Sequence, residues 1–118
     1  MPLFKERNYI MYQRMLQNSS NGGTKRSPLT YEYKQRTTNA NTPFTETCSK
    51  KPIFIIRTSY YYDGSVFTSV YDVEYDKCTN IETMQPSNDI SIISDTEYQF
   101  SAGSSRSTTH KILFVLEE

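Results

Sequence analysis

The strongest hydrophobic pattern in the 118-residue chain lies between residues 53 and 75. Residues 53–62 form a run of β-branched and aromatic side chains, Asp63-Gly64 interrupts it, and residues 65–75 resume it. Asp-Gly between two such runs favours a two-residue type I′ hairpin turn, because both central positions need positive φ. That turn sets Tyr62 opposite Ser65. One face of the hairpin then carries Phe54, Ile56, Thr58 and Tyr60 across from Val73, Tyr71, Ser69 and Phe67. Free of charge, this face is expected on the core. The other face holds Arg57 with Asp72 on the diagonal and is expected to be at least partly wet.

The remaining elements are weaker. Residues 3–17 read as a short helix or, around Tyr9 and Tyr12, as a strand, and residues 18–23 are a Ser-, Asn- and Gly-rich break. Residues 29–34 alternate as a strand or as an extended arm, and residues 35–52 read as a loop or arm that follows another surface. Beyond the hairpin, residues 86–89 form a turn, residues 90–93 and 96–100 short strands, and residues 101–107 a small-residue loop. Residues 108–116 close the set. Their apolar run from Ile112 to Leu116 does not alternate, which places the strand in a sheet interior. The expected fold is mainly β, with α+β as the variant. It is a small antiparallel sheet or sandwich of about five strands built on the 53–75 hairpin, beside a short N-terminal helix or extended basic arm. Phe54, Ile56, Phe67, Tyr71, Leu113 and Val115 are the expected core.

Composition supports this class. Ala40 and Ala102 are the only alanines and leucine occurs five times, against ten tyrosines, fourteen serines and fourteen threonines. An all-helical bundle is excluded by that shortage of helix formers. The longest apolar run has five residues, far short of the roughly 20 a membrane helix needs. Lys5, Glu6 and Arg7 stand where a secretory signal would be apolar, so the expected location is intracellular or inside a virus particle.

The net charge of zero conceals a division. Residues 1–51 carry nine Lys and Arg against three acids, a balance of +6, and residues 52–118 carry four against ten, a balance of −6. The sequence therefore divides into a basic polar arm, 1–51, and an acidic β-rich domain, 52–118. Such a split suits a tail that meets an oppositely charged partner, or two halves that attract each other within one fold.

Candidate chemistry is sparse. Cys48, Cys78 and His110 are too few for a structural zinc site, which needs four ligands. If the hairpin register ran on past Pro52, Cys48 would fall almost opposite Cys78, so a disulfide and two reduced thiols are both open. His110 lacks a recognisable nucleophile motif. Asp72, Glu74 and Asp76 alternate along one strand, about 7 Å apart on one face, too far for all three to share one ion. The 101–107 loop has small residues and Arg106 but not the spacing of a phosphate cradle. No catalytic residue, cofactor or metal is assigned.

The N-terminal third interleaves tyrosines with cations: Arg7, Tyr9, Tyr12, Arg14, Lys25, Arg26, Tyr31, Tyr33 and Arg36 are the expected partner-binding residues. Tyr and Arg are enriched anchors of protein interfaces. The expected function is a non-enzymatic structural or adaptor subunit of a larger assembly, such as a virus particle, docking on other subunits or on copies of itself. The alternative is binding of single-stranded nucleic acid by the same arm, with bases stacking on the rings.

Overall fold

The structure is a computed structural model and describes residues 28–118, all of them strand or connection. The helix or strand expected over residues 3–17 and the break at 18–23 lie outside the described residues, as do Arg7, Tyr9, Tyr12, Arg14, Lys25 and Arg26. Nine strands follow one another: β1 (Leu29–Thr38), β2 (Phe44–Thr47), β3 (Phe54–Tyr61), β4 (Val66–Asp72), β5 (Lys77–Asn80), β6 (Gln85–Pro86), β7 (Ile90–Ser94), β8 (Glu97–Phe100) and β9 (Thr108–Glu117). The described fold is thus all-β, with more strands than the five expected.

Two antiparallel sheets face each other. One has six strands in the order β1-β9-β3-β4-β5-β6, and the other has three in the order β2-β8-β7. β9 is interior, as its unbroken apolar run requires: Ile112, Phe114 and Leu116 point inward, and Val115 is buried on the opposite face. The small sheet contributes Phe44, Ile90, Tyr98 and Phe100, which meet Ile55, Tyr71, Ile112, Phe114 and Leu116 in one core. Phe44 and Phe100 stack at 5.4 Å, and Phe114 meets Phe100 edge-on at 6.4 Å. β1 and β2, which fall in the basic 1–51 stretch, are strands of this sandwich.

The 53–75 hairpin exists, but its register differs from the expected one by one residue. Ile55 pairs with Tyr71 and Tyr60 with Val66. The loop is Tyr62-Asp63-Gly64: Gly64 N donates to Tyr61 O (3.0 Å), Tyr61 N donates to Ser65 O (2.8 Å), and Gly64 alone of the three has positive φ, 89°. This is a type I turn followed by a left-handed glycine, the usual three-residue hairpin loop. Asp63 assists by accepting a bond from Ser65 N (2.9 Å). Type I′ would have put Asp63 at positive φ as well.

One residue of register exchanges the faces. Ile55, Arg57 and Ser59 are the side buried between the sheets, with Tyr71 and Ser69, while Ile56 is only half-buried on the outer side. Phe54 is buried, but in a second cluster with Val70 and Val115 on that outer side. Of the expected core, Phe54, Tyr71 and Val115 are buried, Ile56 and Leu113 are half-buried, and Phe67 is 40% exposed. Arg57 lies far from the wet position expected for it.

The two described glycines with positive φ differ in surroundings. A Cβ on Gly64 would meet open space, whereas one on Gly103 (φ 77°) would overlap the Tyr61 hydroxyl. Gly64→Ala is expected to cost about 1 kcal/mol, the left-handed penalty alone. Gly103→Ala is expected to cost clearly more, with part of the loss recovered by adding Tyr61→Phe. Urea unfolding of the three variants checks this ranking.

Candidate functional site

The new register carries a charge into the core. Arg57, 3% exposed, projects from β3 between the sheets and meets the 87–89 and 101 segments. Its Nη1 donates to Ser101 O and its Nη2 to Ser101 Oγ (3.1 Å), with Asp89 Oδ2 at 3.9 Å. Asp89 in turn accepts from Ser69 Oγ (2.8 Å), Ser87 Oγ (3.2 Å) and Ser101 Oγ (3.0 Å). Since Ser87 gives its hydroxyl proton to Asp89, the 3.2 Å contact with Cys78 Sγ has the thiol as donor. Burial pulls the Arg57 pKa below its ordinary value, and the Asp89 charge opposes that shift. The arrangement ties β3 and β4 to the segments that lead into β7 and out of β8. It uses its polar groups on one another, except for Arg57 Nε, which is buried without a partner.

A second polar cluster surrounds His110, fully buried on the inner side of β9. Its Nδ1 bonds Ser59 Oγ (2.8 Å) and its Nε2 bonds Thr38 Oγ1 (3.0 Å). The ring lies 4.9 Å from that of Phe44. Burial first, then the nearby Arg57 and Arg36 charges, push its pKa down to about 4. A neutral imidazole beside a serine is half of a nucleophilic pair, but the orienting group here is a threonine hydroxyl where a triad has a carboxylate. Ser59 is 1% exposed, with no open path to a substrate.

Neither cysteine is bonded to His110 or to the other cysteine. Cys48 follows β2 and directs its thiol at Lys50 O (3.2 Å), and burial raises its pKa to about 11. Cys78, on β5, is buried and likewise raised by burial. Of the two states the sequence left open, the thiols are free: Cys48 belongs to the other sheet's side, where its N bonds Thr96 O (2.9 Å). The three acids near the hairpin are not an alternating row either. Asp72 ends β4 and is 2% exposed, and Asp76 turns at φ 52° to accept from the Tyr71 hydroxyl (2.5 Å). Among the described residues, no three His, Cys, Asp or Glu side chains gather as a metal site, and no helix is long and apolar enough to cross a membrane.

Three of the expected partner-binding residues are described, all on β1. Tyr31 and Tyr33 stand on the outer face of the six-stranded sheet, 59% and 55% exposed. Tyr33 donates a hydrogen bond to Gln35 Oε1 (2.7 Å) on the same strand. Arg36 points to the inner side, pairs with Glu46 (2.8 Å) and lies 5.1 Å over the Phe44 ring. Its charge is therefore committed within the chain. Glu32, also inward, accepts from Ser49 N (2.9 Å) and the Ser49 hydroxyl, which lowers its pKa.

Sequence reasoning missed two exposed tyrosines with cations over their rings. Lys111 Nζ lies 5.0 Å from the Tyr60 ring, and the Arg106 guanidinium 4.9 Å from that of Tyr62. No spacing rule links these pairs; they arise from strand pairing and loop return. The Asp89 cluster was missed because its members come from four separate segments, and Arg57 within an otherwise apolar run was the one available signal.

Compared with known proteins, the chain matches no family model, no curated protein and no solved structure.

Two measurements follow from the buried polar groups. The folded His110 resists protonation until about pH 4, while the unfolded one takes a proton near 6.5. Stability should therefore be fully present above pH 6.5 and fall as pH drops, by up to about 3 kcal/mol for this group. The lowered carboxylates Glu32 and Asp63 act in the same direction but only below pH 4.5, so the upper window isolates the histidine. Urea midpoints for the native chain should decline between pH 6.5 and 4.5, and those of His110→Gln should stay nearly flat there. For the Arg57 cluster, Asp89→Ala leaves the buried guanidinium its Ser101 bonds but no countercharge, and is expected to cost about 3 kcal/mol. Arg57→Met should cost less, since Asp89 keeps its serine donors and part of its exposure. The reverse order in thermal unfolding would contradict this account.

Proposed function

We propose that this chain is a non-enzymatic structural or adaptor subunit that docks on a neighbouring subunit through the tyrosine-bearing edge of its six-stranded sheet. A large particle, such as a virus particle, is an assembly of the kind this reading has in view. The observation that carries it is the placement of Tyr31 and Tyr33: two large rings, more than half exposed, side by side on a ten-residue edge strand. Tyrosine gives much contact area for little side-chain entropy, and its energy is realised when a partner desolvates it. The non-enzymatic part is supported by His110, whose two nitrogens are bonded to the hydroxyls of buried Ser59 and half-buried Thr38, and by thiols whose pKa burial raises. The upstream cations and tyrosines Arg7, Tyr9, Tyr12, Arg14, Lys25 and Arg26, which lie outside the described residues, belong to the same docking reading.

A second reading, single-stranded nucleic-acid binding, is favoured by the Tyr60–Lys111 and Tyr62–Arg106 pairs, which combine an exposed ring with a cation. The two readings part on substitution and on salt. In the full chain, Tyr31→Ser with Tyr33→Ser should leave the melting temperature within about 2 °C of native and weaken subunit association at least about tenfold. Sedimentation checks the association, and polarisation of a labelled oligothymidine checks the alternative. Oligonucleotide binding that falls steeply with log salt, with association unchanged in the double variant, would replace docking by the second reading.

A further inference from the structure

The edges of the two sheets are not alike. β6 has two residues and ends in Pro86, β2 has four residues, and β7 has a register shift between Ile92 and Ser94. Short length, proline and bulges are the ordinary protections of an exposed edge. β1 has none of these three; what it has is charge, Glu32, Lys34 and Arg36, which restricts the registers in which another strand can pair. It runs for ten residues without glycine or proline and in unbroken register with β9, and among the described residues no strand lies on its other side.

The direction of its backbone groups follows from two bonds. Ile53 N takes Val115 O (2.7 Å), so the odd residues of β9 face β3, and Glu118 N takes Pro28 O (3.0 Å), so the even ones face β1. Leu116 pairs with Thr30, hence even residues of β1 face β9. The N–H and C=O groups of Leu29, Tyr31, Tyr33, Gln35 and Thr37 are then directed at the open edge.

We propose that β1 pairs antiparallel with β1 of a second copy of this chain, about a two-fold axis through Tyr33, joining two six-stranded sheets into one. This rests on the docking reading above and names its partner. Charge selects the copy and the register. With Tyr33 on the axis, Glu32 lies opposite Lys34 of the second copy, and by symmetry Lys34 lies opposite Glu32; Tyr31 faces Gln35 and Thr30 faces Arg36. No like charges meet. A slip that puts Glu32 on the axis sets Glu32 against itself, and one that puts Lys34 there sets Lys34 against itself, which cross-strand pairing disfavours. Each of these registers keeps like faces together, so the outer tyrosines of the two copies form one continuous row. An isologous interface of this kind closes after two copies.

Sedimentation of the full chain is expected to show a dimer. Lys34→Glu should weaken it about tenfold by turning both attractive pairs into repulsive ones, and adding Glu32→Lys should restore most of the affinity. The restoration guards against simple misfolding, since the double variant also loses the Glu32–Ser49 bonds. Register is read by oxidative cross-linking. A hydrogen-bonded antiparallel pair has Cα atoms about 5.5 Å apart, within disulfide reach. Tyr33→Cys should form covalent dimers faster than Glu32→Cys or Lys34→Cys, over a low background from Cys48 and Cys78. Faster cross-linking at 32 or 34, or a dimer indifferent to Lys34→Glu, would sink the pairing. A native chain that stays monomeric yet binds a different purified subunit, with loss of that binding in the Tyr31→Ser, Tyr33→Ser variant, overturns self-pairing and leaves the docking reading standing. A monomer that binds no subunit overturns both.

Discussion

The constraint on which the rest of the structure depends is the length of one loop. Three residues, Tyr62 to Gly64, ending in a left-handed glycine, set Tyr61 opposite Ser65 at the head of the β3–β4 hairpin. Because strand side chains alternate with a period of two, this single residue of register decides which half of the hairpin enters the core. It sends Ile55 and Tyr71 inward to meet the aromatic residues of β8, and it sends Arg57 with them. The interior contacts of Arg57 with Ser101 and of Ser59 with His110 are consequences of that choice.

Carrying Arg57 inward requires compensation, and the serine-rich composition supplies it. A buried guanidinium without partners is among the most destabilising features a small core can hold. Here Ser101 accepts it twice, through O and Oγ, and Asp89 stands at 3.9 Å with three serine hydroxyls turned toward its own charge. The ion pair is long, so the hydroxyls do much of the satisfying. A few residues along the sheet the same solution recurs with a neutral group, His110 between Ser59 and Thr38. Many small hydroxyl side chains let this sandwich bury polar residues that a leucine- and alanine-rich core would reject. Such networks also narrow the alternatives: Ser101 can serve Arg57 only in one register of β3.

Most of the strands could be read from the sequence. The hairpin, the strands expected at 90–93 and 96–100 (found at Ile90–Ser94 and Glu97–Phe100), the 101–107 loop and the interior position of β9 all follow from local pattern, because each is a question about neighbouring residues. Register and face were not legible, for a definite reason. Asp63-Gly64 suits a two-residue type I′ turn and equally a three-residue loop with glycine left-handed, and both hairpin faces carry large apolar groups, Phe54 and Ile56 on one and Ile55 and Tyr61 on the other. What breaks the tie is long-range: Phe44, Tyr98 and Phe100 can cover only one side, and local pattern does not say which side of the hairpin their strands pack on. The same holds at the candidate surface. Alternation in residues 29–34 marks Tyr31 and Tyr33 as one face, but only the sheet order makes their strand the outermost among the described residues, and only the pairing with Glu46 withdraws Arg36 from a partner.

The rim itself shows how unevenly the chain treats its exposed backbone. β9 is buried on both faces and sits one strand in from the boundary, so something must pair with its outer side; β1 does, along its full length. That pairing moves the open edge outward without removing it. On the inner side β1 is tied by Glu32 to Ser49 and by Arg36 to Glu46, contacts that fix its position against the neighbouring segment. A ten-residue edge already held in register by β9 loses little entropy on pairing again, whereas the bulged β7 and the two-residue β6 would have to rearrange or offer little to a partner. The interactions that complete the fold at β1 are therefore also the ones that prepare its edge for contact, and they do so with tyrosines already on the face that a joined sheet would share.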